Sequence, residues 1–326
     1  MTEYDMVVIG GGPGGYTAAL YGARAGLCTV VLERSFAGGQ IALTHKVDNY
    51  PGYEDGIEGP ALAEKMRRQA ERFGATTKYE EALRVNLDVF PREIETGTES
   101  IRGKTVIIAT GADPRKLGVP MEQELTGHGV AYCAACDGMF YQGKTVVVVG
   151  GGNSAAEDAL LLSRIAERVI LVHRRNTLRA EKLYDKQLKS QENVEFQWNS
   201  VVTELLHGEN VTGIRLRNTI TGALSTLSCD AVFISVGRKP ATEFVKGQIE
   251  LDPDGYIIAG ETTRTNIPGV YAVGDVRTKI VRQVVTAVSD GAVAAHMAAE
   301  YLREEKNVSD YIRIASASEI PPQWPR

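Results

Sequence analysis

A glycine-rich turn set between an apolar strand and a helix occurs twice in this chain, and that doubling restricts the fold more than any other feature. In the first copy, Tyr4–Ile9 reads as a buried strand and Gly10-x-Gly12-x-x-Gly15, with Pro13 inside it, as the turn. Tyr16–Ala25 has helical spacing and Cys28–Leu32 is a second apolar strand. In the second copy, Thr145–Val149 leads into Gly150-x-Gly152-x-x-Ala155, then a helix over Ser154–Ala166 and a strand over Val169–Val172. Glycine permits the tight turn and lets a ligand approach the backbone. The helix start offers unpaired N–H groups and positive potential to a pyrophosphate. A pattern repeated at this scale predicts two units of one architecture in tandem.

Shorter strands over Lys104–Ala109, Ala231–Val236 and Gly269–Val273 each run into a glycine, and Ala287–Leu302 reads as an alanine-rich helix. Pro, Lys and Gly gather near Asp113–Pro120 and Arg238–Lys246, on either side of the second unit. The expectation is therefore an α/β fold of two Rossmann-like dinucleotide-binding domains, the second inserted into the first. Residues 1–116 and 247–326 would form one domain and 117–246 the other, with 307–326 as an irregular tail. The 326 residues are 43% apolar and 24% charged, enough for two ordinary cores. A net charge of −5 argues against a nucleic-acid face. No apolar run reaches the roughly 20 residues of a membrane span. Glu3 and Asp5 stand where a secretory leader would be basic. A soluble, cytoplasmic protein is expected.

The two copies differ at the position that reads an adenosine ribose. Glu33 lies 21 residues after Gly12, where a carboxylate accepts hydrogen bonds from ribose hydroxyls. The same count from Gly152 reaches His173, followed by Arg174, Arg175 and, a helical turn on, Arg179. Guanidinium groups pair with a 2′-phosphate that a carboxylate would repel. An acidic and a basic site at equivalent places imply two cofactors, FAD in the first and NADPH in the second, since a flavin accepts the hydride that NADPH gives up.

Cys133-Ala134-Ala135-Cys136 precedes the second turn, and Asp137-Gly138 follows it. Two intervening residues let the sulfurs bridge, a helix first turn lowers a thiolate pKa, and Asp137 stands ready to protonate a departing thiolate. Zinc fits poorly, because Cys28, Cys229 and His128 supply no second pair of ligands. An inert CxxC of two core cysteines stays open beside the redox reading. Cys28 and Cys229 read as packing residues.

Over nearly its whole length the chain resembles the low-molecular-weight thioredoxin reductases. The motifs are GGGPGGYTAA at Gly10, GGQIALTHKVDNYPG at Gly38, IIATGA at Ile107, YCAACDG at Tyr132, GGGNSAAEDA at Gly150, VHRRNTLRAEK at Val172 and YAVGD at Tyr271 with Arg282-Gln283 beyond. The resemblance implies that Gly39, Gln40, Thr44, Asn49, Asp275, Arg282 and Gln283 join the first turn in holding FAD. Asp275 would meet the ribityl side and Arg282-Gln283 the ring. It assigns Gly152, Ser154, Ala155, His173, Arg174, Arg175 and Arg179 to NADPH. Cys136 would face the flavin, Cys133 would attack the partner's disulfide, and Asp137 would donate the proton. A homodimer and a thioredoxin or thioredoxin-like substrate are implied as well. The chain departs from the pattern at Ala135, often threonine, at Ser289, usually glycine, and in a longer tail. In related ferredoxin–NADP reductases a C-terminal aromatic covers the flavin, which makes Trp324 or Tyr311 a candidate for that place.

CxxC and NADPH motif fall in one expected domain and the flavin motif in the other. Hydride and thiolate steps need reacting atoms about 3–3.5 Å apart, so one static arrangement cannot easily serve both. A hinge rotation about the two linkers is expected. Competing readings are a flavin reduced by ferredoxin or another protein, a reductase feeding a peroxiredoxin, and a nucleotide-sensing redox regulator. The intact His-Arg-Arg cluster, the lack of room for a further thioredoxin-like domain, and the cysteine pair argue against them in turn.

Overall fold

The computed structural model describes residues 2–44 and 46–317, with side chains through 307. It separates into two compact units, one running to Ala112 and resuming at Pro240, the other spanning Asp113–Lys239.

The first unit opens with β1 (Thr2–Ile9), α1 (Pro13–Arg24), β2 (Thr29–Leu32), α2 (Gly59–Arg72) and β3 (Thr76–Lys78). The antiparallel strands β4 (Ala82–Asn86) and β5 (Arg92–Thr96) lead to β6 (Ser100–Ile108). β1 lies between β2 and β6, parallel to both, with Val8 opposite Val31 and Ile107. A central parallel strand is covered on both faces, which is why Met6–Ile9 is a continuous apolar run with no alternation. Cys28 precedes β2 and is exposed, so it is not the packing residue the sequence suggested. The strand starts one residue later, at Thr29, and residue 28 lies in the connection before it.

The chain leaves this unit along β7 (Ala112–Pro114). The second unit holds β8 (Val130–Ala131), the single turn α3 (Ala134–Asp137), β9 (Thr145–Gly150), α4 (Asn153–Leu162), β10 (Arg168–Val172), α5 (Lys182–Lys189) and β11 (Val194–Gln197). The antiparallel trio β12 (Ser200–His207), β13 (Val211–Asn218) and β14 (Leu224–Ser228) follows, then β15 (Ala231–Ser235). A parallel sheet in the order β11-β10-β9-β15-β8 repeats the arrangement around β1, with β9 between β10 and β15. Cys229 is buried here beside Val211 and Ile214, and burial pushes its thiol up to about 12, so it is inert packing.

The return strand β16 (Arg238–Pro240) pairs with β7, so both crossings belong to one two-stranded ribbon. The segments expected as linkers, Asp113–Pro120 and Arg238–Lys246, thus begin as paired strand. Back in the first unit, β17 (Val270–Ala272) adds to β6, and α6 (Val284–Ala317) packs on α1 through Ala294, Ala295 and Ala298 against Ala18 and Ala19. α6 extends well past the expected Leu302. Residues 307–317 are helical where an irregular tail was expected, because no glycine or proline interrupts the chain between Gly291 and Pro321. Trp324 and the Tyr311 side chain, the candidate flavin covers, lie outside the described residues.

Candidate active site

The first turn is built for close approach. Gly10 has a φ of +106°, and a Cβ on Gly15 would stand 1.9 Å from the Gly10 carbonyl, so both places exclude side chains. Gly12 caps α1 and Pro13 occupies its first position, where a missing N–H costs nothing. Glu33, at the end of β2, is buried and reaches back into this turn. Its Oε2 accepts the Gly11 N–H at 2.8 Å and its Oε1 the Ser35 N–H at 3.1 Å. Each oxygen keeps a lone pair for a ribose hydroxyl.

Three distant segments come to the same end of the sheet. The Gly38 N–H donates to the Gly11 carbonyl at 2.7 Å, and Gly39 lies against Gly12 at the start of a short helical stretch, Gly39–Leu43, that carries Gln40 and precedes Thr44. The Asn49 amide donates to Gln283 Oε1 at 3.0 Å, joining residues 234 positions apart. Gly274 and Asp275 form a turn beside Ala287 near the start of α6. The Arg282 guanidinium lies 4.2 Å over the Tyr256 ring, and its buried Nε has no partner.

A buried cluster that the sequence did not announce fixes the Gly274 turn. Asp290 accepts the Gly274 N–H at 2.8 Å, two bonds from Arg277 at 2.9 and 2.7 Å, and Lys279 Nζ at 2.8 Å. Burial alone would raise the Asp290 carboxyl, yet the hydrogen bonds from Arg277 and Lys279 and the Lys279 charge hold it below its usual range. The available signal was an acid in an apolar helix that also had two cations a few residues upstream.

In the second unit Gly152 caps α4, with Ser154 and Ala155 in its first turn. His173 follows β10, is buried, and lies so close to Gly151 that a Cβ there would strike its ring. Burial, then the charges of Arg179, Arg174 and Arg175, push its pKa down, which favours the neutral imidazole beside three exposed arginines. Its Nε2 is buried without a partner. The Arg179 N–H donates to the Gly151 carbonyl at 2.7 Å, bringing this basic loop onto the turn.

Cys133 and Cys136 form a disulfide with their Cα atoms 5.3 Å apart. Cys133 caps α3, and the Cys136 and Asp137 N–H groups both turn back to its carbonyl. Desolvation of half-buried Asp137 pushes its carboxyl up to about 6. Tyr132, next to Cys133, donates to buried Glu122 at 2.7 Å, and Met139 and Phe140 are exposed just beyond the pair. These flanking residues carried no recognisable spacing.

Both turns fit dinucleotides on observations of the chain itself. A Cβ on Gly12 or Gly152 would meet nothing within 4 Å, so open space lies in front of each helix start. The partnerless Arg282 Nε and His173 Nε2 are polar atoms that a bound group can satisfy.

The pyridine nucleotide-disulphide oxidoreductase family matches residues 4–291. The thioredoxin reductase of Treponema pallidum (strain Nichols) is 44% identical over 94% of this chain and 99% of its own length. That of Bacillus subtilis (strain 168) is 43% identical over 92% and 95%. The crystal structure of thioredoxin reductase from Streptococcus pyogenes MGAS5005 superimposes with a TM-score of 0.89 at 42% identity, covering 93% of this chain and 99% of that one. The chain belongs to the pyridine nucleotide-disulphide oxidoreductases, in their thioredoxin reductase group.

Proposed function

We propose that this enzyme carries electrons from NADPH, held at the Gly152 turn, to the Cys133–Cys136 disulfide by way of FAD held at the Gly12 turn, and passes them to thioredoxin or a thioredoxin-like protein. Bound FAD would supply the two-electron relay that joins hydride chemistry to thiol chemistry. Glu33, Gly39, Gln40, Thr44, Asn49, Asp275, Arg282 and Gln283 would hold it. His173, Arg174, Arg175 and Arg179 would select the 2′-phosphate of NADPH. A homodimer and a cytoplasmic location belong to the same reading.

The observation that carries it is a disulfide in a CxxC turn with a half-buried carboxyl of raised pKa beside it. In the reduced pair, the Cys133 thiolate attacks the partner's disulfide, forming a mixed disulfide and releasing one partner thiolate, which Asp137 protonates. Cys136 then attacks Cys133 Sγ, re-forming the intramolecular bond and freeing the second partner thiol. Two electrons and two protons leave the enzyme. The cysteine pair and the nucleotide turn sit on one unit and the flavin turn on the other, so the reading includes a rotation about the β7–β16 crossings between half-reactions.

Cys133→Ser tests the assignment. NADPH should still bleach the flavin of this variant, while reduction of thioredoxin falls to background. Continued reduction at the wild-type rate would contradict it.

A further inference from the structure

Trp198 and Asn199 form the whole connection between β11 and β12, and none of the steps above uses them. The parallel register of β10 and β11 sets Val172 opposite Gln197. One residue further on it brings His173 beside Trp198, and the two rings meet edge-on with centroids 6.4 Å apart and 79° between their planes. Trp198 also stacks on Phe196, 4.8 Å away and within 10° of parallel, because alternate residues of a strand share one face. Phe196 in turn packs against the core that holds Val169, Leu171 and Leu188. The His173 ring is thus confined by Trp198 and by Gly151, where a Cβ would stand 2.1 Å from it.

The backbone of the same connection holds the basic loop. The His173 N–H donates to the Gln197 carbonyl at 3.0 Å, and the Ser200 N–H to the His173 carbonyl at 3.0 Å. The Asn199 N–H donates to the Arg175 carbonyl at 3.1 Å, and the Thr219 hydroxyl to the Arg174 carbonyl at 3.3 Å. Asn199 has a φ of +50°, a left-handed conformation that asparagine tolerates, so the N–H that reaches Arg175 comes from a defined turn. These bonds set the course of residues 173–175 but leave the His173 side-chain torsions free. Trp198 removes that freedom, since its flat ring admits one packing of the imidazole.

We propose that Trp198 is a positioning residue for nucleotide selection: stacked on Phe196, it wedges the His173 imidazole against Gly151 and so sets the His173–Arg175 loop to receive an adenosine 2′-phosphate. Phenylalanine keeps a flat ring on Phe196 and an edge toward His173. Alanine removes both. A residue that merely covered the end of the sheet would affect nucleotides with and without the 2′-phosphate alike, whereas a positioning residue acts on the phosphorylated one.

The inference rests on the NADPH reading, and its test separates the two. Holoenzymes of wild type, Trp198→Ala and Trp198→Phe are compared in kcat/KM for NADPH and for NADH, with 5,5′-dithiobis(2-nitrobenzoate) as acceptor. Calorimetric binding of adenosine 2′,5′-bisphosphate supplies a readout independent of turnover. Trp198→Ala should lose about tenfold in kcat/KM for NADPH, through KM, and about tenfold in affinity for the bisphosphate, the loss expected when one charge-assisted contact is misaligned. Its kcat/KM for NADH should stay within about twofold of wild type, because uniform binding is untouched. Trp198→Phe should recover most of the loss. A wild-type ratio of NADPH to NADH in Trp198→Ala, a parallel loss for both nucleotides, or equal losses in the alanine and phenylalanine variants would overturn the role of Trp198. If Trp198→Ala does not fold, Trp198→Val decides, since valine suits a strand end but is too short to reach the His173 ring. A loss confined to NADPH then supports the wedge, and an unchanged ratio removes it. A wild-type enzyme that uses NADPH and NADH equally well would sink the NADPH reading itself.

Discussion

Asp137 is the residue whose chemistry depends most on its surroundings. Its carboxyl is raised to about 6 by desolvation, so it holds a proton at a pH where an exposed aspartate has lost one. The reduced form of the cysteine pair needs that proton when the partner's thiolate departs. Turnover with a disulfide substrate should therefore decline as pH rises through about 6, where the donor ionises, and Asp137→Asn should lower kcat and remove that inflection from the profile. The stability sign is opposite to that of an ordinary salt-bridged acid. The folded protein binds this proton more tightly than the unfolded chain, so wild type loses stability as pH rises from about 4 to about 6. Asp137→Asn should raise the melting temperature at pH 8 relative to wild type and leave it nearly unchanged at pH 4. Thermal scans at the two values check this, and an equal shift at both would contradict the desolvation account.

At the scale of elements, the strand–turn–helix units were legible because their requirements are local. Gly10, Gly12, Gly15, Gly150 and Gly152 sit where backbone must turn, and Glu33 and His173 fall at the ends of β2 and β10 because the intervening helix has a standard length. What escaped was set by pairing across sequence. Asp158 lies inside a recognised motif, yet its partner Ser235 is 77 positions away. The Asp290 cluster joins α6 to the Gly274 turn, and no periodicity marks it. The helical continuation to Ala317 was hidden by polar residues and a proline-rich end. The glycine turns give a prediction that separates fold from function. A Cβ on Gly12 or Gly152 meets no protein atom within 4 Å, and neither residue has a positive φ, so alanine is sterically permitted in both. Gly152→Ala should leave the melting temperature within a degree or two, given the small propensity change at a cap, while raising KM for NADPH roughly tenfold, as expected when a methyl group blocks a pyrophosphate. Gly12→Ala should fold but purify with less flavin, read as a lower ratio of 450 to 280 nm absorbance.

For the whole molecule, the proposed rotation would take place about β7 and β16, the paired strands where the chain passes between its two units. An engineered disulfide or bifunctional cross-link fixing the first unit to the second should stop multiple turnover while leaving one half-reaction intact. Full turnover in the locked enzyme would remove rotation from the account. The central claim is that hydride enters at a flavin and leaves through one sulfur pair. It is tested most directly by titrating the purified protein with NADPH under argon, following the flavin band, and then counting thiols after denaturation. Of the four cysteines, Cys28 and Cys229 are free and Cys133 and Cys136 are bridged. The account predicts a yellow protein whose flavin band bleaches and whose thiol count rises from two to four per chain. A colourless protein, or a bleached flavin with the count still at two, would contradict it.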